Sequence, residues 1–223
     1  MFKDKKYIII KEAISKELAA FIYKYFLLKR DVAQTFFDSR YISPFTEYFG
    51  VWNDKQVPNT YSHYSDIVME TLLLQLGNLM EEKTELKLIP TYSYARIYKK
   101  GDVLKRHKDR PSCEISTTLN LGGDPWPIYL SPDENVGIPE FNGGVKGITT
   151  SSSAKGLKVD LEPGDMLVYS GCVLEHWRER FNGNNCGQVF LHYNNVATQG
   201  ENNKYDGRPH LGLPSDFKNY QKF

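Results

Sequence analysis

A histidine and an aspartate stand two positions apart near the middle of the chain, as His107-Lys-Asp109. On an extended strand alternate side chains share a face, so this imidazole and this carboxylate can point the same way. Together they would supply two ligands of a facial 2-His-1-carboxylate iron site, which leaves one side of the metal open. A third ligand is then required from a later strand, and the sequence offers His176. His107, Asp109 and His176 are therefore the predicted metal ligands and catalytic residues.

A His-x-Asp pair alone is a weak signal, because it occurs often by chance among exposed polar residues. Three neighbouring features strengthen it here. A tyrosine-rich strand and a turn at Gly101 precede the pair, and Pro163-Gly-Asp165 begins an apolar strand that leads to His176. After His176 a hydrophobic stretch at 189–193 could close the sheet. Together these features favour one metal held by all three residues.

Overall charge gives no sign of a nucleic-acid or membrane surface, since the net charge is +1 over 223 residues. Basic residues do concentrate around the predicted metal site, within residues 99–110. They could attract an anionic substrate or cosubstrate, or they could simply be solvated charges that flank a strand. The sequence leaves these alternatives open.

Cysteine usage indicates a reducing compartment. The three cysteines, Cys113, Cys172 and Cys186, are too few and too scattered for a disulfide framework, and none belongs to a Cys-x-x-Cys pair. We expect Cys113 and Cys172 to be buried as small apolar residues. The apolar run at 7–10 is too short for a signal sequence or a membrane span. These observations predict a cytoplasmic protein.

Helical periodicity is confined to the first part of the chain. After a short strand at 7–12, one amphipathic helix is predicted from Ser15 to about Arg30 and a second from Asp66 to about Glu82. Residues 31–60 are aromatic and loop-like, with Pro44 and Pro58 as breakers. We expect the two helices to pack against a sheet.

From Leu86 the pattern changes to short strands. Residues 131–158 are rich in Gly, Ser, Pro and Asn and are interpreted as an excursion with room for one hairpin, a candidate lid or a disordered loop. The sequence shows no linker and no internal repeat. It predicts one α+β domain over residues 1–223, with a helical part to about 85, a closed or sandwiched sheet over about 86–196, and a polar tail.

The motifs resemble those of the 2-oxoglutarate- and Fe(II)-dependent dioxygenases, in particular the prolyl 4-hydroxylase-like branch. The family pattern appears here as Tyr98-Lys-Lys-Gly101, His107-Lys-Asp109, Gly164-Asp165 and His176. The resemblance covers nearly the whole chain, least well over residues 31–60, 131–158 and the tail. It implies a double-stranded β-helix, or jelly-roll, with the N-terminal helices packed on its major sheet.

The resemblance also implies the chemistry. Fe(II) and 2-oxoglutarate would be the cofactors, with ascorbate as a candidate addition, and dioxygen would be consumed as 2-oxoglutarate is converted to succinate and carbon dioxide. The coupled reaction would be hydroxylation of a prime substrate, either a prolyl residue in a peptide or protein or a small molecule. Arg110, beside the ligands, is a candidate for substrate contact.

The cosubstrate anchor is where this sequence departs from the family. In the prolyl-hydroxylase branch a cation that holds the 5-carboxylate usually lies where this chain has Cys186, and no Lys or Arg occurs between Phe181 and Asn203. Arg178 shares the face of His176 on a continuing strand and is the predicted anchor, with Arg180 as the next alternate. Two further residues resemble donors of hydroxyl hydrogen bonds to the cosubstrate, namely Tyr98 and Thr117.

Other histidines and polar residues receive lesser expectations. Gln188 and His192 alternate inward on the last strand and could support the ligands, although a satisfied core histidine is the default for His192. His63 is expected to be a cap or surface residue, and His210 to lie in the polar tail. Trp177 is expected to face away from the metal.

Two competing interpretations remain at the level of sequence. A cupin-type metal protein, either an isomerase or a ligand-binding module, would share the Pro163-Gly-Asp165 and His176 pattern. However, its first motif requires His-x-His followed by Glu, and here the second position is Asp109. The other is a jelly-roll recognition module that has lost its metal, which the presence of all three ligand types disfavours.

Overall fold

The computed structural model describes residues 1–43, 46–137, 139–142, 145–149 and 152–218. Its helices come mainly from the first part of the chain, and antiparallel strands make up most of the remainder. The helices are α1 (Phe2–Lys5), α2 (Lys16–Asp38), α3 (Ile67–Gln75), α4 (Gly77–Thr84) and α5 (Val196–Gln199). No helix in these ranges is both long enough and apolar enough to cross a membrane. This arrangement confirms a mixed α and β fold.

The strands form two larger sheets and a separate hairpin, all with antiparallel pairing. In chain order the strands are β1 (Tyr7–Ile10), β2 (Tyr61–Tyr64), β3 (Leu88–Lys99), β4 (Leu104–His107), β5 (Ile115–Gly123), β6 (Ile128–Leu130), β7 (Pro139–Asn142), β8 (Val145–Thr149), β9 (Leu157–Val159), β10 (Met166–Ser170), β11 (His176–Arg178) and β12 (Asn185–Asn195). The larger sheet has the order β1-β10-β5-β12-β3-β2, and the smaller has the order β4-β11-β6-β9. The strands β7 and β8 form the hairpin.

Alternation along the strands of the larger sheet separates two surfaces. On β5, Ile115, Leu119 and Leu121 join the core cluster that also contains helical residues such as Ile22 and Leu73. The intervening β5 side chains are polar and face the smaller sheet, as shown by the hydrogen bonds that they make to residues near it. The larger sheet thus packs its apolar face on the helices and keeps a polar face for the space between the sheets.

The predicted helices exist, but their extents differ from the expectation. Ser15 caps α2 by accepting a hydrogen bond from the backbone N–H of Leu18 at 3.2 Å, and the helix continues to Asp38, through residues predicted to be loop. The second predicted helix is divided into α3 and α4 at Leu76, where the low helix propensity of Gly77 favours a break. The strand β2 was not predicted.

Several expectations about single residues are wrong or cannot be followed. His63 is neither a cap nor a surface residue, because it is buried and its Nδ1 lies 3.3 Å from Asp66, which caps α3. Cys172 is only partly buried, although Cys113 is buried as expected. Pro44 lies outside the described residues. Within the excursion at 131–158 the expected hairpin is present as β7 and β8, while 138, 143–144 and 150–151 also lie outside them.

Candidate metal centre

Strand register brings the two predicted histidine ligands side by side. His107 is the last residue of β4, His176 is the first residue of β11, and the two are directly paired across these antiparallel strands. Their ring centroids are 4.2 Å apart with the planes inclined at 55°. Residues far apart in sequence therefore meet because β4 and β11 are neighbours in the smaller sheet.

The carboxylate of Asp109 completes the group from the loop that follows β4. Its Oδ1 lies 3.5 Å from His107 Nε2 and 3.4 Å from His176 Nε2. One ligand atom from each of the three residues lies within 4.8 Å of the others. A backbone hydrogen bond from the Asp109 N–H to the carbonyl of Gly171, at 2.8 Å, fixes the loop. The donor set and its spacing suit a small divalent metal.

Backbone carbonyls orient both imidazoles. His107 Nδ1 lies 2.8 Å from the carbonyl oxygen of Lys105, and His176 Nδ1 lies 3.0 Å from that of Leu174. Each Nδ1 must carry the proton to donate these bonds, which leaves the Nε2 lone pairs directed at Asp109. Hydrogen bonding of the outer nitrogen is the usual way in which proteins orient metal-binding histidines.

The pKa values of the three candidate ligands shift in different directions. Burial favours the neutral form of His107 and lowers its pKa, an effect to which His176 adds. Burial also opposes ionisation of Asp109, but the two imidazoles outweigh it and hold the pKa of that carboxyl well below its usual range. For His176 the nearby carboxylate outweighs burial and raises the pKa. The centre therefore favours an ionised carboxylate beside two imidazoles, of which His176 is the one that more readily takes up a second proton and becomes charged.

A hydroxyl and a glycine hold Asp109 on its outer side. Ser116 Oγ donates to Asp109 Oδ2 at 2.7 Å, and it lies 3.0 Å from His192 Nδ1. A Cβ atom at Gly171 would lie 2.4 Å from Asp109 Oδ2 and 2.5 Å from the carbonyl oxygen of Cys113. No larger side chain fits at 171 without displacing the carboxylate or the backbone, so both features position Asp109.

The ligands open into a cavity of about 270 Å³ between the two sheets. Residues of β3, β10 and β12 line one side, and residues of β4, β6 and β11 together with the loop at 108–110 line the other. The lining includes Tyr92, Tyr94, Tyr98, Leu104, Ile128, Tyr169, Phe190 and His192. Space is thus available beside the open face of the predicted metal.

Arg178, the predicted anchor, lies on β11 two residues beyond His176 and is 1% exposed. Alternation on a strand places the two side chains on one face, with Cα atoms roughly 6.6 Å apart. The guanidinium donates to the carbonyl oxygen of Trp126 and, at 3.2 Å, to Thr118 Oγ1, while its Nε has no hydrogen-bond partner in the part of the chain that the structure describes. Burial lowers the pKa of Arg178, and no carboxylate pairs with it among the described residues.

The structure brings Tyr98 to the cavity but not Thr117. Tyr98 lines the cavity, and its hydroxyl accepts a hydrogen bond from Arg96 at 3.2 Å. Thr117 faces the helical side, and its Oγ1 accepts from the backbone N–H of Leu191 at 3.0 Å. It is Thr118, and not Thr117, whose hydroxyl contacts Arg178. Alternation with Ile115 and Leu119 in the sequence could have shown this.

Sequence reasoning missed a buried cation and the loop that covers it. Arg96 lies on β3 two residues before Tyr98, is 1% exposed, and forms an ion pair with Asp54. Gln56 accepts from Arg96 Nη1 at 3.3 Å, and its amide nitrogen lies 3.0 Å from His107 Nε2. The alternation of Arg96 with the β3 tyrosines was a usable signal. Nothing in the sequence indicated that residues 54–56 would reach the centre.

Three other residues named from the sequence, Arg110, Trp177 and Arg180, have contacts that bear on their expected roles. Arg110 makes a bidentate pair with Asp206 of the C-terminal tail, with both contacts at 2.7 Å, and stacks over Tyr92. The tail is therefore fixed to the rim of the site. Trp177 packs beside Tyr129 and under Arg106, away from the cavity as expected. Arg180 is exposed, and its guanidinium donates to the carbonyl oxygen of Gly101 at 3.4 Å.

The remaining expectations concern residues behind the ligands. Gln188 does not touch the ligands and bonds Thr118 and Asn120. His192 supports Asp109 indirectly, through Ser116. A second group of ligand types, Asp109 with Cys113 and His192, also lies within 4.8 Å. It suits a metal less well, because Ser116 stands between the carboxylate and the imidazole and burial raises the pKa of the Cys113 thiol.

Comparison with solved structures relates this architecture to the 2-oxoglutarate- and Fe(II)-dependent oxygenases. No family model and no curated protein sequence matches the chain. At the level of structure, the chain has the fold found in several of these oxygenases.

Three examples span bacterial and viral proteins. A prolyl-4-hydroxylase of Pseudomonas putida is 13% identical, with a TM-score of 0.55 over 87% of this chain and 95% of its own. HygX of Streptomyces hygroscopicus, solved with nickel and 2-oxoglutarate bound, is 13% identical, with a TM-score of 0.58 over 97% and 91%. The viral collagen prolyl hydroxylase of Paramecium bursaria Chlorella virus-1 is 10% identical, with a TM-score of 0.51 over 86% and 97%. At such identities the likeness establishes a shared fold.

Proposed function

We propose that this protein is an Fe(II)- and 2-oxoglutarate-dependent oxygenase, a hydroxylase that releases succinate and carbon dioxide. The observation that carries the proposal is the convergence of His107 Nε2, His176 Nε2 and Asp109 Oδ1, with both Nδ1 atoms bonded to backbone carbonyls. In this proposal the two larger sheets are the faces of a double-stranded β-helix, with the helices packed on the major sheet.

The chain offers a fitting place for each cofactor. The three ligands match the donor set of non-haem Fe(II) oxygenases, which keeps positions free for a chelating cosubstrate and dioxygen. Arg178 is a buried cation with no acidic partner among the described residues and with an unbonded Nε. An isolated buried charge is unfavourable unless a counterion compensates it. The 5-carboxylate of 2-oxoglutarate would be that counterion, because a guanidinium pairs well with a carboxylate.

The roles of the protein residues follow from their contacts. His107, Asp109 and His176 would hold the metal, and Ser116 would keep Asp109 ionised and oriented. Arg178 and Thr118 would bind the distal end of the cosubstrate, while Tyr98 would line its path. When bound, iron would couple oxidative decarboxylation of 2-oxoglutarate by dioxygen to hydroxylation of a prime substrate. Buried aromatic walls would limit the access of water to that reaction.

The test is succinate formation from 2-oxoglutarate with Fe(II), with and without ascorbate, in the wild type and in His107→Ala. His210→Ala is the matched control, because His210 is an exposed histidine of the tail whose Nδ1 bonds the backbone of Leu211. We expect the wild type and His210→Ala to form succinate and His107→Ala to lose both this activity and Mn(II) binding measured by calorimetry. Tight Mn(II) binding without any succinate, or without a 2-oxoglutarate-dependent spectrum under anaerobic Fe(II) conditions, would favour the cupin-type alternative.

The prime substrate is open between two classes. The Pseudomonas and viral neighbours are prolyl hydroxylases, and HygX has also been solved with hygromycin B bound. A prolyl residue in a peptide and a small molecule are thus both represented among proteins of this fold. The cavity contacts of the present chain favour a small molecule, as developed below.

A further inference from the structure

Arg96 is a second buried cation on the cavity side of β3, and its acidic partner comes from a loop. Among the described residues its acidic partner is Asp54, a residue between α2 and β2 whose side chain is 20% exposed. Its Nη1 donates to Gln56 and to Tyr98, at 3.3 Å and 3.2 Å. Arg96 therefore lies on a strand and is buried, whereas Asp54 belongs to a loop and is partly exposed.

The ion pair between Arg96 and Asp54 is not bidentate and leaves part of the hydrogen-bonding capacity of the guanidinium unused. Only Oδ2 of Asp54 contacts Arg96, at Nη2, and this oxygen also accepts from the Tyr94 hydroxyl at 2.6 Å. The other oxygen, Oδ1, accepts from the backbone N–H of Gln56 at 2.8 Å. Arg96 Nε is buried and has no hydrogen-bond partner among the residues that the structure describes. A free carboxylate could instead engage the guanidinium through two parallel bonds, which is the stronger arrangement.

Gln56 connects this ion pair to the metal centre. Its amide nitrogen lies 3.0 Å from His107 Nε2, the same lone pair that a metal would require. One nitrogen lone pair cannot accept the amide proton and bind a metal at once, so metal binding must displace Gln56. Because the Gln56 backbone is bonded to Asp54, movement of Gln56 also disturbs the pairing of Arg96.

From these contacts we infer that Asp54 and Gln56 occupy the prime-substrate site in the free protein, and that the substrate is a small carboxylic acid whose carboxylate replaces Asp54 on Arg96. This inference rests on the proposed oxygenase function. A carboxylate that takes over this position keeps Arg96 neutralised after the loop withdraws. Internal residues of a peptide carry no main-chain carboxylate, so they lack the group that Arg96 would recognise.

The dimensions of the site favour a compact acid. A single amide group, that of Gln56, spans the gap between Arg96 Nη1 and His107 Nε2, with 3.3 Å and 3.0 Å at its two ends. A substrate bound at Arg96 would thus present to the metal a carbon only a few bonds from its carboxylate. The cavity of about 270 Å³ must also hold 2-oxoglutarate, which leaves room for a molecule of amino-acid or hydroxy-acid size.

The test compares free L-amino acids with their carboxamides, which differ in the charge at one group. Binding is measured from thermal shifts of protein loaded with Mn(II) and 2-oxoglutarate under argon, where no turnover occurs, and stimulation of succinate release is measured with Fe(II) in air. We expect at least one acid to bind at least about tenfold more tightly than its amide. Arg96→Gln should abolish that preference, whereas Asp54→Asn should increase the affinity for the acid several-fold by removing the competing carboxylate.

A control variant and a separate activity measurement distinguish failure of this inference from failure of the proposed oxygenase function. Asp160→Asn removes an exposed carboxylate paired with Lys158 and should leave the acid preference unchanged. Equal binding of acids and amides across the panel, or weaker acid binding in Asp54→Asn, would overturn the inference. So would an Arg96→Gln protein that needs more 2-oxoglutarate yet keeps the acid preference. Succinate formation in the absence of any amino acid tests the oxygenase function alone. If Arg96→Gln fails to fold, the acid affinity of Asp54→Asn still tests the inference.

Discussion

Replacing Arg178 with methionine should separate a ligand anchor from a structural residue. An uncompensated buried charge costs roughly 3 kcal/mol or more, and Arg178 has no acidic partner among the described residues. Its loss also removes hydrogen bonds to Thr118 and to the Trp126 carbonyl, each worth roughly 1 to 3 kcal/mol. These opposing contributions nearly cancel, so the free energy of unfolding of the ligand-free protein should change by less than about 2 kcal/mol.

The response to 2-oxoglutarate should change far more. A ligand at about 100 times its Kd stabilises the native state by about 2.7 kcal/mol. For a chain of this length that corresponds to a rise of roughly 5 to 10 °C in Tm. We expect this rise in Mn(II)-loaded wild type under argon and its loss in Arg178→Met.

Arg180→Met provides the matched control, because Arg180 is exposed and, among the described residues, bonds one backbone carbonyl. It should keep the full rise in Tm with 2-oxoglutarate. The reasoning is refuted if Arg178→Met keeps that rise as well. It is also refuted if this variant is less stable than wild type by more than about 4 kcal/mol in urea unfolding, since Arg178 would then be a structural residue.

Three further predictions concern the support of the metal ligands. Ser116→Ala removes the 2.7 Å hydrogen bond to Asp109. It should weaken Mn(II) binding, measured by competition with a chelator, about 10- to 100-fold. Unchanged binding would show that Ser116 does not position the carboxylate. Gly171→Ala places a Cβ atom 2.4 Å from Asp109 Oδ2 and 2.5 Å from the Cys113 carbonyl oxygen. It should therefore lower the free energy of unfolding, measured in urea, by about 1 to 3 kcal/mol. An unchanged midpoint of the urea unfolding curve would contradict this packing. Burial lowers the pKa of His192 to about 4. Between about pH 6.5 and pH 4 the unfolded chain therefore binds a proton that the native state does not. The free energy of unfolding should decrease by up to roughly 3 kcal/mol as the pH is lowered across that window. His192→Asn should flatten this dependence in the metal-free protein, and identical pH profiles for the two proteins would count against a neutral buried His192.

Much of the centre was predictable because local rules govern it. Asp109 follows His107 by two positions, and strand alternation predicts that they converge; the two do lie together, although β4 ends at His107 and Asp109 is held in the following loop by its hydrogen bond to Gly171. Arg178 follows His176 in the same way, and the structure places it buried beside Thr118 without an acidic partner among the described residues. Apolar alternation likewise predicted most of the strands, although their ends differ by a few residues.

The prediction of Thr117 was wrong because a strand has two faces and a shift of one residue exchanges them. Its neighbours Ile115 and Leu119 belong to the helical core, so Thr117 faces the helices and Thr118 faces Arg178. His63 was misjudged for a different reason. Its burial depends on β2 and on Asp66, neither of which gives His63 a distinctive local pattern.

Long-range contacts explain what local patterns could not supply. Asp54 and Gln56 lie in a segment without periodicity, yet they reach Arg96 and His107 across 40 to 51 positions of sequence. Asp206 of the polar tail reaches Arg110 across 96 positions. Neither segment has a regular apolar face, so only the tertiary packing of the chain determines where each one lies.

The sequence by itself determined the candidate ligand types, the two-residue spacing of His107 and Asp109, and the alternation of apolar and polar faces, because these depend on neighbouring residues. Only the tertiary structure decided which strands pair, and hence that His176 lies opposite His107. It also decided that Arg96 is neutralised by Asp54, and that Gln56 approaches the lone pair of His107. Contacts of this kind arise when the burial of apolar surface brings distant segments together, and no local propensity specifies them.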